Sequence, residues 1–146
     1  MLDGLFNEAG IDVLERTIQF AGGRHRLILN NIANISTPNF RPRDVDPKAF
    51  THALAQAVGT RRSTHPGLRT ARPIRPGDTA EIKYTEAGMT LKPNPKGEGL
   101  LLHDGSDGDL EGIMSDLAEN TLVHRGATEL LRSRYALLQT AIRERI

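Results

Sequence analysis

Two long stretches of the chain repeat apolar residues every three or four positions, one near each end. In the first stretch the repeat is formed by Ile11, Leu14, Ile18, Ala21, His25, Ile28, Ile32 and Ile35. Steps that alternate between three and four are typical of the a/d seam of a coiled-coil helix. The pattern predicts an N-terminal coiled-coil helix over residues 1–37, with His25 as the polar member of its seam.

The C-terminal stretch carries the same repeat. Asp109 is the predicted N-cap, and Glu111 adds negative charge to the first turn. One face then carries Ile113, Leu117, Asn120, Val123, Ala127, Leu130, Leu137 and Ala141, and Leu131, Tyr135, Leu138 and Ile142 widen it. This predicts a second coiled-coil helix over residues 109–146. We expect the two terminal helices to pair and to leave apolar surface for other subunits.

Proline separates these helices from the middle of the chain. All eight prolines lie between residues 38 and 95, and proline costs about 3 kcal/mol inside a helix. Asp46 and Pro47 predict the start of a short amphipathic helix that ends near Gly59, so residues 38–59 form a turn and one helix.

Residues 60–108 read as a basic linker rich in proline and glycine, followed by a small β region. Alternation predicts a strand over residues 79–85, with shorter strands at 89–92 and 100–103. The predicted fold class is therefore mainly α, with long N- and C-terminal helices paired as a coiled coil and a small β or irregular middle region.

Two adjacent glycines, Gly22 and Gly23, interrupt the first helix. Each costs roughly 0.5–1 kcal/mol relative to alanine in a helix. The pair predicts either a point where this helix is weak or a close contact between the helix and another backbone.

Composition excludes several kinds of function. The chain has no cysteine, so disulfides and thiolate metal sites are excluded, and its net charge of +1 gives no overall basic field for nucleic acid. The five histidines show no metal-ligand spacing, and no nucleophile has a base arranged beside it. We therefore expect no enzyme activity, no cofactor, no metal and no small-molecule substrate. The acidic N-terminal residues are not typical of a secretory signal peptide.

An arginine cluster in the linker supports a different interpretation. Its members could bind phosphates or an acidic protein, although no aromatic residue lies among them; they are Arg61, Arg62, Arg69, Arg72 and Arg75. A nucleic-acid or acidic-partner binding module is therefore one alternative. A coiled-coil export or adaptor factor is another.

The segment from Asn30 to Phe40, NNIANISTPNF, resembles the N-terminal signature of the bacterial flagellar rod and hook proteins, NN-(I/L/V)-AN-x-(S/D)TP-G-(Y/F). Residues 43–46, RDVD, continue it as in proximal rod subunits. LAEN at 117–120 and LLQTAI at 137–142 are similar to the C-terminal helix of the same family. Asn39 stands where that family usually has glycine. Because asparagine tolerates positive φ better than most residues, we expect the turn to be kept.

This resemblance implies a structural subunit of the proximal rod of the flagellar basal body, located in the periplasm and exported by the type III apparatus without a cleaved signal peptide. It implies contacts with copies of itself, an FlgC-like rod protein, an FliE-like adaptor and an FliF-like membrane ring protein. The candidate interface residues are Ile28, Asn30, Asn31, Ile32, Asn34, Ile35, Thr37, Pro38, Phe40, Leu117, Asn120, Leu130, Leu137 and Ile142.

Overall fold

In the described part of the chain, two long helices near the ends flank a shorter helix and four short strands. The structure is a computed structural model that describes residues 8–64, 74, 76–85, 88–96 and 109–143. The helices are α1 (Glu8–Asn34), α2 (Pro47–Thr64) and α3 (Leu110–Arg143), and the strands are β1 (Arg43–Asp44), β2 (Ile82–Thr85), β3 (Gly88–Leu91) and β4 (Asn94–Pro95). The predicted fold class is confirmed, because the terminal helices are in contact and the middle region carries a small β-hairpin.

Helices α1 and α3 run antiparallel along each other. Tyr135 lies against Glu15, and Asn120 lies against Ala21, so residue numbers rise along one helix as they fall along the other. With 34 residues, α3 is about 50 Å long at 1.5 Å per residue. A helix of that length extends past any core that this chain can build, so much of its surface remains outside.

Side-chain caps begin α2 and α3 where the sequence predicts them. The Asp46 carboxylate accepts a hydrogen bond of 2.8 Å from the backbone N–H of Lys48, with Pro47 at the first helical position. The Asp109 carboxylate accepts one of 2.8 Å from the N–H of Gly112. Each cap satisfies a backbone N–H that has no partner inside the helix.

Helix α2 does not end near Gly59, as its pattern predicted, but continues to Thr64. An interior glycine weakens a helix by only about 1 kcal/mol, which one tertiary contact can offset. That contact is made by Arg61, whose guanidinium lies 2.9 Å from the carboxylate of Asp12 on α1. The ion pair ties the last turns of α2 to α1.

The apolar core lies between α1, α2 and the hairpin. The rings of Phe20 and Phe50 stack with centroids 4.1 Å apart and planes inclined by 3°. Around them lie the other buried members of the core, Val45, Leu54, Ile74 and Ile82. Helix α1 therefore has a second buried face besides the predicted seam.

The β structure is smaller than predicted and partly different. β2 and β3 form an antiparallel hairpin with Ile82 opposite Leu91, so the predicted strands over 79–85 and 89–92 are present in shortened form. β1 pairs antiparallel with β4, with Arg43 opposite Pro95, which the sequence pattern did not predict. The strand predicted at 100–103 lies outside the described residues.

Gly23 is the point where the hairpin approaches α1. A Cβ atom at this position would lie 2.6 Å from Cδ1 of Leu91, whereas one at Gly22 would meet nothing within 4 Å. The close contact predicted for the glycine pair therefore exists at Gly23, with a side chain of the hairpin rather than with another backbone.

Candidate assembly interface

A buried arginine joins three elements of the fold at the middle of α1. Arg24 is 4% exposed, and its guanidinium binds the Asp44 carboxylate through two nitrogens, at 3.0 Å from Nε and 2.6 Å from Nη2. The same Nη2 lies 3.3 Å from Asp116 on α3, which also pairs with Lys96 beside β4. The cluster thus ties α1 to the β1–β4 pair and to α3.

The Arg24 guanidinium keeps its charge in this environment. Burial acts to lower its pKa, but the hydrogen bond and the Coulomb attraction of Asp44, together with Asp116, outweigh it, so the pKa of Arg24 is raised above the ordinary arginine value. An arginine fork that binds a carboxylate through two parallel N–H groups also fixes the relative orientation of the two elements.

Two polar contacts set the register between α1 and α3. The buried Asn120 amide donates a hydrogen bond of 2.9 Å to the backbone carbonyl of Ala21. Farther along, the Tyr135 hydroxyl donates to Glu15 over 3.3 Å, and the Glu15 carboxylate raises the pKa of Tyr135. Because a buried amide without a partner is costly, Asn120 favours one alignment of the helices over slipped ones.

The segment from Asn30 to Phe40 ends α1 and returns the chain along it. The Asn31 side chain is buried and pairs with both backbone groups of Arg43, donating to its carbonyl over 2.8 Å and accepting from its N–H over 3.1 Å. The Asn34 side chain donates to the Asn30 carbonyl over 2.8 Å. The side chains of Asn31 and Asn34 are thus bonded within this chain.

Asn39 occupies the left-handed region with φ of 61°. The expectation that asparagine keeps the turn of the usual glycine is therefore confirmed. The turn is closed by the Phe40 N–H, which donates over 3.1 Å to the carbonyl of Thr37. It directs the chain toward β1, where Asn31 holds it.

The fourteen candidate interface residues divide by exposure. Ile28, Asn31 and Asn120 are buried; Ile32, Asn34, Ile35, Phe40 and Leu117 are half-buried; Asn30, Thr37, Pro38, Leu130, Leu137 and Ile142 are exposed. The structure places Asn120 against α1, where it bonds to Ala21, and it buries Ile28 of α1. It leaves Leu130, Leu137 and Ile142 of α3 on the surface, where Leu130 is 59% and Ile142 65% exposed.

A groove of about 1090 Å³ opens between α2 and α3. Phe20 of α1 and Phe50 of α2 contribute to its lining, and Val123 and Asn120 of α3 form the opposite side. Asp116 and Arg24 border one end. The groove is wide and largely apolar, so it suits a helix or another extended apolar surface better than a small polar ligand.

Sequence patterns missed Arg24 and Asp116 as central residues of this region. A signal existed, because Val13, Phe20 and Leu27 are spaced by seven and mark a second stripe on α1. Arg24 lies within that stripe, where a charged residue with no visible partner is normally assigned to solvent. Of the arginine cluster in the linker, Arg61 binds Asp12, and Arg69, Arg72 and Arg75 lie outside the described residues.

Within the described ranges, no group of three or more histidine, aspartate or glutamate side chains is placed to hold a metal ion. Among the same residues no helix combines the length and the apolar character that crossing a membrane requires.

Known proteins with similar sequences include flagellar basal body rod proteins FlgB from several bacteria. The chain is 34% identical over 122 residues to the flagellar basal body rod protein FlgB of Cereibacter sphaeroides, covering 82% of this chain and 83% of that protein. FlgB of Borrelia hermsii is 28% identical over 120 residues, covering 80% and 83%. FlgB of Bacillus subtilis is 24% identical over 132 residues, covering 90% and 92%.

No protein-family model matches the chain. The relatives nevertheless align over most of both sequences, and one exceeds 30% identity. The chain therefore belongs to the family of flagellar basal body rod proteins FlgB, and it is a structural protein rather than an enzyme, as its motifs predicted.

Proposed function

We propose that this protein is a structural subunit of the proximal rod, that it assembles helically through its terminal helices, and that it links the membrane ring to the rest of the rod. The observation that carries the proposal is the 34% identity to an FlgB protein over more than four fifths of both chains. The long α1–α3 pair with apolar residues on its surface supports it, because such surface is what repeated contacts between subunits require.

Within this proposal the candidate interface residues have two roles. Ile28, Asn31 and Asn120 hold the subunit in its own shape, since their contacts lie inside one chain. The exposed residues Leu130 and Leu137 meet neighbouring subunits. Twisting the rod loads these contacts, so a fixed α1–α3 register lets the subunit transmit torque without slipping.

The proposed partners are those that the motif implies. They are copies of this chain, an FlgC-like rod protein, an FliE-like adaptor and an FliF-like ring protein. The subunit meets them after it is exported through the type III apparatus without a cleaved signal peptide. The motif of residues 30–46 and the FlgB relatives support this set together. A rod in the periplasm around an export channel is the corresponding location.

Deletion tests the proposal in a strain that lacks its own copy of the gene. Removing residues 1–37 or residues 110–146 takes away one member of the α1–α3 pair, so we expect no rod and no swimming. Basal bodies purified from cells with the intact chain are expected to contain it in the rod fraction. Normal swimming after either deletion, or absence of the intact chain from basal bodies, contradicts the proposal.

A matched variant separates this function from the binding-module alternative. Replacing Arg62, Arg69, Arg72 and Arg75 with alanine removes the cluster but leaves the Arg61–Asp12 ion pair. A structural subunit is expected to assemble and swim normally with these changes. Loss of swimming together with normal subunit folding favours the arginine cluster as the functional site.

A further inference from the structure

The α1–α3 pair carries apolar residues on two opposite faces. The first, the groove face, consists of the groove between α2 and α3 and the stripe Val123, Leu130 and Leu137. These three residues are seven positions apart, about two turns each, so they follow one line along α3. Val123 also lines the groove, which makes the stripe and the groove one continuous surface.

The second face, the patch face, consists of Leu29, Leu110 and Met114, which are 46%, 47% and 50% exposed. Met114 precedes Val123 by nine residues, about two and a half turns, so the two side chains leave α3 in opposite directions. Leu29 follows Phe20 by the same interval on α1. Since Phe20 and Val123 both line the groove, Leu29 and Met114 point away from it on the other side.

The three patch residues lie at one level of the helix pair. The hydrogen bond between Asn120 and Ala21 places these two residues at the same level of the antiparallel pair. Leu29 lies eight residues after Ala21 and is therefore level with position 112, which lies eight residues before Asn120. Leu110 and Met114 flank that position. The patch is therefore one cluster at the end of the pair where α1 ends and α3 begins, whereas the stripe lies toward the other end.

Both positively and negatively charged residues lie at the edges of each face. Lys48 and His52 of α2 and Glu119 of α3 are exposed at the groove. Arg26 beside Leu29 and Glu111 beside Leu110 are exposed at the patch. Each face thus offers a cation on one helix and a carboxylate on another, so opposite charges can be paired around an apolar contact.

We propose that the groove face of one copy of this chain receives the patch face of the next copy. This rests on the proposed function and names the surfaces through which it operates. Because the two faces differ in residues and lie on opposite sides, their contact is heterologous and leaves a free groove and a free patch at the two ends of any row. A contact of this kind extends a helical row instead of closing a two-fold dimer.

Cysteine crosslinking tests the proposal, since the chain has no cysteine of its own. Two tagged single-cysteine variants, Val123→Cys and Met114→Cys, are expressed together in a strain that lacks the wild-type chain. Basal bodies are purified and treated with a short bis-maleimide. We expect a crosslinked dimer that carries both tags, and none when either variant is expressed alone. Leu130→Cys with Leu110→Cys is a second pair for the same two faces.

In the control, Val123→Cys is expressed together with Gln56→Cys in place of Met114→Cys. Gln56 is an exposed position on α2 outside the groove lining, so this pair is expected to give no mixed dimer. Crosslinking of Val123→Cys or Met114→Cys with itself shows a two-fold contact and overturns the proposal. Swimming cells whose basal bodies contain the chain but give no mixed dimer with either pair also overturn it, while the proposed function stands. Absence of the chain from basal bodies overturns both.

Discussion

The two halves of the α1–α3 pair have the same heptad pattern but different surroundings. In the first, the locked half, residues 20–34 of α1 lie alongside α3 from its start to Asn120, which bonds to Ala21. In the other, the open half, residues 10–17 of α1 lie alongside the following turns of α3, where Tyr135 reaches Glu15. Of the buried residues described for α3, Ile113 and Asn120 belong to the locked half and Ala127 to the start of the open half.

The difference comes from what else packs against each half. The locked half is covered by the β1–β4 pair and the hairpin, so its polar residues Arg24, Asn31 and Asn120 are buried and bonded. In the open half, Asp12 of α1 pairs with Arg61 of α2, and Asp12 and Arg16 bind the backbone of Ile74. On α3, Leu130, Tyr135, Leu137 and Ile142 stay exposed. One half therefore holds the subunit together, and the other leaves apolar surface for contacts outside the chain.

The largest effect is expected from Arg24→Ala in the locked half. It leaves Asp44 without its cation and weakens the neutralisation of Asp116, so the free energy of unfolding is expected to fall by about 3 kcal/mol. Urea-induced unfolding followed by circular dichroism measures it. The matched control is Arg132→Ala in the open half, where Arg132 and Glu129 are 72% and 68% exposed. There the loss is expected to stay below about 1 kcal/mol, and equal losses would remove the distinction between the halves.

A smaller effect is expected within the glycine pair of the locked half. Gly22→Ala meets no neighbour within 4 Å, so it is expected to raise the free energy of unfolding by about 0.5–1 kcal/mol through helix propensity. Gly23→Ala brings Cβ to 2.6 Å from Leu91 and is expected to gain nothing, because the hairpin must shift. The same denaturant titration compares them. If both changes stabilise the chain equally, the hairpin does not pack tightly against α1 at Gly23.

The smallest effect on stability is expected in the open half. Leu130→Ala and Leu137→Ala remove exposed side chains, so the free energy of unfolding of the isolated chain is expected to change by less than about 0.5 kcal/mol. Incorporation into basal bodies, measured by immunoblot of the purified structures, is expected to fall for the double variant. A double variant that unfolds at lower urea shows that the open half also carries the fold.

Sequence patterns predicted correctly those elements that are determined by interactions between residues close together in the chain. The proline-free heptads predicted α1 and α3, and Asp46 and Asp109 marked helix starts that the structure confirms. Asn39 was expected at positive φ because it stands where the similar family usually has glycine and because asparagine tolerates that conformation. In each case the interactions that determine the structure join residues only a few positions apart, so a short stretch of sequence is enough to predict them.

What the sequence did not reveal depends on partners far along the chain. Asn31 is among the candidate interface residues, but its amide pairs with the backbone of Arg43 in the same chain. Arg24 needs Asp116, which follows it by 92 positions. Helix α2 passes Gly59 because Arg61 meets Asp12, 49 positions away. A periodicity identifies which face is apolar, but not which element covers it.

The antiparallel pairing of α1 with α3 also sets the order in which the chain can fold. Ala21 and Asn120 are separated by 99 positions, and at about 5–20 residues per second of synthesis α1 precedes its partner by roughly 5–20 s. During that interval its seam has no intramolecular cover, and closing so long a loop makes folding slow. The newly made chain therefore exposes the apolar seam of α1 until α3 has been synthesised.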